Sequence, residues 1–538
     1  MKNFLLFLLV CFLYYSVSAQ TVSWDGANYG GGISDDVGHC ITTDSDANII
    51  VGGLFNSTAY FDYLQITSMT YNGGGFIAKY DSLGNILWVR KITGTNTSCV
   101  QAITTDQNKN IYFTGHFTET TYIDTFSLTS NGSSDLFIGK YDEYGNLLWI
   151  KSAGGIDLDA GMTITCSDSL LFVGGEFRDS VYFDTTLLIS NGNSDIFLAC
   201  MDFNGNYRWI KSEGGTGWDV SRGVTIDEES NIFLTGIFMN TAYFSDTSIT
   251  SNGSSNAFIA KYDKNGQLQW VRSMNGTGDV WGRSVIISNN EIYVKGHFEG
   301  NAQFGPFNLL NSPGYSDYFI CKLDMSGNFL WAKQIETKLD IMDDFWNHSL
   351  ESDEHGNIYV TGWFMDSLVY DNLTVQSNGS YDIFVMKIDN DGNLIWCLTA
   401  GNASGDYSRS IARDDNGNLY ITGRFYNTLF FGDSSVTSYG SADVFVAKIR
   451  EEPVSVAYNE ENTSLEITVY PNPATGYVNI GYPPMQFEKV EIISINGSIL
   501  RTYNGNQNSL DVSGLAPGVY FLKLDTGKMI YVKRVIIQ

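Results

Sequence analysis

One eight-residue pattern governs what this chain can fold into. DSLGNILW (Asp81–Trp88) returns as DEYGNLLW, DFNGNYRW, DKNGQLQW, DMSGNFLW and DNDGNLIW. Its tryptophans, Trp88, Trp149, Trp209, Trp270, Trp331 and Trp396, are spaced 61, 60, 61, 61 and 65 residues apart. A fixed period of this kind marks a repeat architecture, because each unit needs its neighbours to cover its apolar faces. A second marker, glycine–variable–Phe, places its glycine at Gly53, Gly115, Gly175, Gly236, Gly296, Gly362 and Gly423. A third is the Phe of FIAKYD-like strands: Phe76, Phe137, Phe197, Phe258, Phe319, Phe384 and Phe445. These two occur seven times, whereas the tryptophan strand occurs six times.

The missing copy constrains the topology. The last repeat stops after DVFVAKI (Asp443–Ile449) with no tryptophan strand behind it, while Trp24 stands 29 residues before Gly53. Trp24 is therefore expected to bring the strand that the final repeat lacks. In a closed ring such a strand completes the last sheet and removes an exposed edge. The sequence thus predicts an all-β chain: a seven-bladed β-propeller closed by its N-terminal strand. Each unit reads as one blade. In the second, VQAITTD, NIYFTGHF, DLFIGKYD and NLLWIKS are four short strands rich in β-branched and aromatic residues, divided by Gly, Asn and Asp turns. The stretch between second and third strands, such as TTYIDTFSLTSNGSS, is expected to be an added hairpin at the rim.

Composition agrees with this class: 55 Gly, 32 Tyr, 33 Phe and 11 Trp among 538 residues, with 17% charged. The D-x-x-G-N turns resemble the opening of a calcium loop, yet after DNDGN (Asp389–Asn393) comes a strand and no downstream carboxylate. They read as tight hairpin turns, and no metal or cofactor is expected. Six cysteines lie beyond the N-terminal segment (Cys40, Cys99, Cys166, Cys200, Cys321 and Cys397), without CxxC pairs, and read as buried apolar residues. A net charge of -28 argues against nucleic-acid binding.

The two ends carry addresses. Residues 1–19 read as a signal peptide: Lys2, an apolar run from Phe4 to Tyr15, and Val17 and Ala19 before a cleavage site. No other run is long enough for a transmembrane segment. The propeller spans 20–450 and 451–464 form an acidic linker. Residues 465–538 contain about seven strand-like runs and read as a small immunoglobulin-like β-sandwich. In this last part Tyr470–Pro473 (YPNP), INGSIL and Leu515–Phe521 (LAPGVYF) fall in order. They resemble the type A sorting domain of the type IX secretion system of Bacteroidota. The resemblance implies a partner, the type IX secretion machinery, and an address at the outer cell surface or in the medium, reached through the periplasm. The terminal VIIQ departs from the basic finish frequent in that family. Residues 24–449 resemble the SBBP seven-bladed propeller group, which adds architecture without an assigned activity.

Candidate site residues come from the first strand of each unit. One ring holds Asp36, Ser98, Asp159, Asp219, Asp279, Asp344 and Asp406, with Asp279 and Asp344 one residue out of register. Three or four residues on stand His39, Gln101, Met162, Arg222, Arg283, His348 and Arg409. They read either as Asp–Arg and Asp–His pairs tying neighbouring blades, or as a channel-mouth funnel binding an anionic or hydroxyl-rich ligand. The variable position of the glycine marker adds Leu54, His116, Glu176, Ile237, His297, Trp363 and Arg424. No HExxH, GxSxG or P-loop occurs, and no catalytic residue stands out. The expectation is a monomeric, non-enzymatic binding module for a glycan or protein. The alternative is a polysaccharide hydrolase or lyase using two of the ring carboxylates.

Overall fold

The structure is a computed structural model describing residues 20–71, 73–310, 316–339, 349–453, 467–481, 487–494, 499–505, 507, 509–526 and 530–538. The signal peptide, Asp344, His348 and the Asn496–Gly497 turn lie outside the described residues. Within them the chain is all-β, with no helix. Ser23–Arg450 forms one compact unit, and a second holds Glu451–Gln538.

The larger unit has a β-propeller fold, and its first sheet sets the pattern. β1 (Gln20–Gly32) is followed by β2 (Val37–Thr43), β3 (Ile49–Phe55), β4 (Thr58–Phe61), β5 (Leu64–Thr67), β6 (Gly74–Tyr80) and β7 (Ile86–Gly94). The sheet runs β2-β3-β6-β7, every pair antiparallel. Its next two strands, Thr120–Ile123 and Phe126–Thr129, come from the following repeat and lie outside β7. The extra hairpin therefore covers the outer edge of the preceding sheet, which accounts for units of about 61 residues. β4 and β5 attach in the same way to β1, and β1 lies beside Asp443–Pro453, the third strand of the last repeat. The first strands are neighbours in sequence order, and Tyr407–Arg413 neighbours β2.

Apolar faces meet between adjacent sheets. Cys40, Ile50 and Ile77 of the first pack with Val100, Phe113 and Phe137 of the second. The repeat tryptophans bolt these sheets together. Trp88 Nε1 donates to the carbonyl of Glu143 at 3.2 Å, and Trp149, Trp209, Trp270 and Trp331 do the same to Phe203, Lys264, Met325 and Asn390 at 3.0–3.2 Å. Two residues after Glu143, Gly145 has φ +77°, and a Cβ there would lie 2.9 Å from the Trp88 ring. Glycine is required by both backbone and space. The D-x-x-G-N turns close on themselves: Asp81 Oδ1 accepts the amides of Leu83 and Asn85, and Oδ2 accepts the Asn85 side chain at 2.8 Å.

Trp24 does stand in the strand beside Asp443–Pro453, but register shows that it is not the counterpart of the repeat tryptophans. Gly32 pairs with Ala59 as Gly215 pairs with Ala242, and Gly215 lies six residues after Trp209. The position equivalent to the repeat tryptophan is thus Gly26, 27 residues before Gly53. Asn28 agrees, since its Nδ2 donates to Gly84 O as Arg90 Nε donates to Gly145 O. Trp24 lies elsewhere, with its ring 4.9 Å from Phe431 and Nε1 donating to Thr399 O.

The smaller unit has a three-stranded sheet (Thr468–Tyr470, Tyr477–Gly481, Ser509–Asp511) and a four-stranded one (Ile499–Asn504, Lys489–Ser494, Gly518–Asp525, Ile530–Ile537). One core, including Val478, Ile480, Val490, Ile492, Leu522 and Val535, joins them.

Candidate functional site

Six of the first strands break their ladders at one residue among the described residues. Register shifts fall around His39, Gln101, Met162, Arg222, Arg283 and Arg409. These are the second predicted ring, apart from His348. A bulge leaves one residue unpaired and re-aims its side chain. The glycine marker supplies the room opposite: a Cβ on Gly115 or Gly296 would fall 1.9 Å from the carbonyl oxygen of Cys99 or Trp281. His39, Gln101, Arg222 and Arg283 line a channel cavity of about 230 Å³, ringed also by Ile164, Glu351 and Ile411. Arg409 is buried but does not line it. Burial, then the charges of Arg409 and His116, hold His39 well below the usual histidine range.

The carboxylate ring acts differently from the blade-tying pairs expected. Asp36, Asp159, Asp219 and Asp406 are fully buried. Each accepts a backbone amide four residues upstream, from Gly32, Gly155, Gly215 and Asn402 respectively, at 2.7–2.9 Å. Three also accept an amide 20 residues downstream, from Asn56, Met239 and Tyr426. No ion pair joins Asp219 to Arg222 or Asp406 to Arg409 among the described residues. The physical reason is that two nearby loop amides present donors directly to the carboxylate. Ser98 substitutes a hydroxyl, 2.8 Å from that of Thr121. Asp279 is not in the ring: Val280 takes that position, and Asp279 accepts Ser255 Oγ at 2.7 Å.

Burial pushes Asp36 and Asp159 up to about 8 and Asp219 and Asp406 to about 7, against the pull of their amides. Such groups hold protons in the folded state that the unfolded chain has released above about pH 4. Stability is therefore favoured on the acid side and falls as pH rises through 7 to 8. His39 and His116, with lowered values, act oppositely but only below about pH 6.5, where the unfolded chain becomes charged. We expect the melting temperature to drop by several degrees between pH 6.5 and 8.5 at fixed ionic strength, read by differential scanning fluorimetry. A flat or rising profile would mean that the amides keep these carboxylates ionised.

A second cavity, of about 280 Å³, lies between the second, third and fourth sheets. Gln101, His116, Glu176, Arg178, Trp218 and Arg222 supply its polar wall, and Leu158 and Met162 its apolar one. Glu176 Oε2 accepts Trp218 Nε1 and Ser194 Oγ, both at 2.8 Å. The Arg222 guanidinium lies 5.9 Å from the Trp218 ring centroid, and its Nη1 is 3.5 Å from Met162 Sδ. Gln101 Nε2 is 3.5 Å from His116 Nδ1. Burial lowers His116 to about 4, with Glu176 pulling upward. The cavity thus unites three residues of the second ring, Gln101, Met162 and Arg222, with two of the variable ring, His116 and Glu176, and none of the carboxylate ring. The rest of the variable ring is divided: Ile237, His297 and Trp363 are buried, and Arg424 stacks 4.4 Å from Tyr407. Trp218 and Arg178 escaped sequence reasoning. The available signal was Trp218 itself, a tryptophan off the repeat spacing beside Asp219.

Among the described residues no cluster of three or more His, Cys, Asp or Glu side chains is placed to hold a metal, and no helix is long and apolar enough to cross a membrane. The six cysteines are free.

Comparison with known proteins identifies both parts. Residues 468–538 match the secretion system C-terminal sorting domain, and residues 395–424 match the SBBP β-propeller repeat. The chain carries both, a pairing consistent with a Bacteroidota-type protein. It is 23% identical over 448 residues to an uncharacterized WD repeat-containing protein of Acanthamoeba polyphaga mimivirus, covering 66% of this chain and 32% of that protein. It is 23% identical over 354 residues to the regulatory protein FlaEY of Caulobacter vibrioides, covering 62% and 36%. The chain spans about a third of the length of these relatives. Similar solved structures include a puromycin hydrolase (10% identity, TM-score 0.39, 84% of this chain and 59% of that one). Another is the Kuenenia stuttgartiensis hydrazine synthase (10%, 0.37, 76% and 97%). The sorting domain indicates type IX export to the cell surface or the extracellular space.

Proposed function

We propose that this chain is an exported, non-enzymatic binding module, a seven-bladed propeller over 20–450 closed by β1. The neighbour relations of the first strands and the place of β1 beside Asp443–Pro453 support the closed ring. In this reading 1–19 is a cleaved signal peptide, and 465–538 is an immunoglobulin-like sandwich addressing the chain through the periplasm to the type IX machinery.

The observation that carries the binding reading is the cavity at Trp218. An indole beside a carboxylate, an imidazole and the partly buried guanidinium of Arg178 suits a hydroxyl-rich ring, which offers apolar C–H faces and equatorial donors and acceptors. At about 280 Å³ it takes a terminal sugar of a glycan rather than a larger ligand. Glu176 is the single carboxylate lining it among the described residues, and it is held by Trp218 and Ser194. Hydrolysis by a carboxylate pair needs a second one facing the same substrate. The buried ring carboxylates are turned to backbone amides, which favours binding over turnover.

A glycan array and a polysaccharide digestion panel probed with the purified chain test this. We expect binding without product, weakened at least tenfold by Trp218→Ala and by Arg178→Ala. Released oligosaccharide, or binding that both variants leave intact, would overturn the reading.

A further inference from the structure

The seam at which β1 meets the first sheet lacks the tryptophan found at other seams. Where Trp88, Trp149, Trp209, Trp270 and Trp331 fill the space between two sheets, this seam has Gly26, with φ +119° and nothing within 4 Å of where a Cβ would stand. The result is a cavity of about 220 Å³ lined by Asp25, Gly26, Asn28, Ser82, Gly84 and Lys448, with Tyr420 and Val446 among its apolar wall.

The walls of a tryptophan slot are otherwise kept. Opposite Trp88, Trp149, Trp270, Trp331 and Trp396 the neighbouring strand carries Lys79, Lys140, Lys261, Lys322 and Lys387. Lys448 holds that place in the last repeat, pairing with Tyr420 as Lys79 pairs with Ile50 and Lys140 with Tyr112. Its ammonium sits 5.7 Å from the Tyr420 ring and 3.7 Å from Asp25 Oδ2. The acceptor is also present. In the five bolted seams the indole N–H donates to the carbonyl two residues before the turn glycine, and here that carbonyl belongs to Ser82, two before Gly84. Trp24 does not enter, because its ring lies against Phe431 and its N–H is given to Thr399 O.

We propose that this slot receives the indole of a tryptophan presented by another polypeptide, docking it at the closure seam. Five filled slots in this molecule specify the occupant: a flat indole with its N–H aimed at a turn carbonyl, beside a lysine in four of them and beside Cys200 in the fifth. A cation beside an aromatic face and a buried N–H···O bond give such a ligand both affinity and orientation. The site is separate from the cavity at Trp218.

The test uses the full purified chain and a flexible hexapeptide with one central tryptophan, followed by calorimetry or ligand-observed NMR. The same peptide with leucine in that place and N-acetyl-tryptophanamide are run beside it. We expect the tryptophan peptide to bind at least tenfold tighter than the leucine peptide. Gly26→Trp, which puts the repeat's own indole in the slot, should abolish binding, and Lys448→Met, which keeps the slot open but removes its ammonium, should weaken it severalfold. Trp218→Ala should leave it unchanged, which keeps this result independent of the glycan reading. Equal binding of the two peptides, or binding indifferent to Gly26→Trp and Lys448→Met, would overturn the proposal. Binding of the free amide but not the peptide would overturn the polypeptide partner.

Discussion

A chain lacking Gln20–Tyr29 is expected to lose the cooperative unfolding transition of the whole 20–450 region, not merely to fray at one end. β1 is the neighbour of Asp443–Pro453 and the strand on which the β4–β5 hairpin rests. Its loss uncovers the ladder edge of the last sheet, and Gly30–Gly32, which pair with the β4–β5 hairpin, keep that hairpin but no longer have the strand before them. Buried apolar groups on both sides, Phe61 and Phe445 among them, would become wet. In a ring, each sheet is held by two neighbours, so opening one seam weakens all of them in turn. An open array would lose only its terminal unit. We expect a fall in melting temperature of at least about 15 °C, or no transition at all, with amide exchange accelerated in every sheet. A truncated chain that melts like the parent would refute closure by β1.

The same seam explains why one part of the fold was legible and another was not. Repeat spacing located the first strands, the glycine marker and the tryptophan strands, because each is bounded on both sides by equivalent residues. It misplaced Trp24 because no D-x-x-G-N turn precedes that strand, so nothing in the sequence anchored the register. Pairing of Gly32 with Ala59 did, and it moved the equivalent position to Gly26. Asp279 slipped for a similar reason: one residue changes which side of a strand a side chain faces. The partners of the ring carboxylates were hidden in a different way. Arg222 and the amide of Gly215 are both within four residues of Asp219, and spacing alone cannot choose between a side chain and a backbone donor. Trp218 and Arg178 sit in loops, where the repeat imposes no pattern, and only the third dimension brings them to Glu176 and His116.

The glycine marker was found by counting, but its cause is the bulge, and this yields the second large expected effect. Gly296→Ala should destabilise the propeller far more than a surface change. Gly296 faces the strand exactly where Arg283 is left out of the ladder, between the Gly282 and Ser284 pairings. A methyl there would meet the carbonyl oxygen of Trp281 at 1.9 Å and the Phe319 ring at 2.6 Å. Both are buried, the first is backbone, and neither can move aside without breaking the pairing of Trp281 with His297. Such overpacking costs about 3 kcal/mol, and for a unit of this size that lowers the melting temperature by roughly 3 °C. Relief of the clash means flattening the bulge, which would swing Arg283 out of the channel cavity that it lines. A crystal structure of the variant should therefore show the Arg283 side chain displaced. A variant as stable as the parent, with Arg283 unmoved, would show that the bulge tolerates a Cβ and that the repeated glycine has another cause.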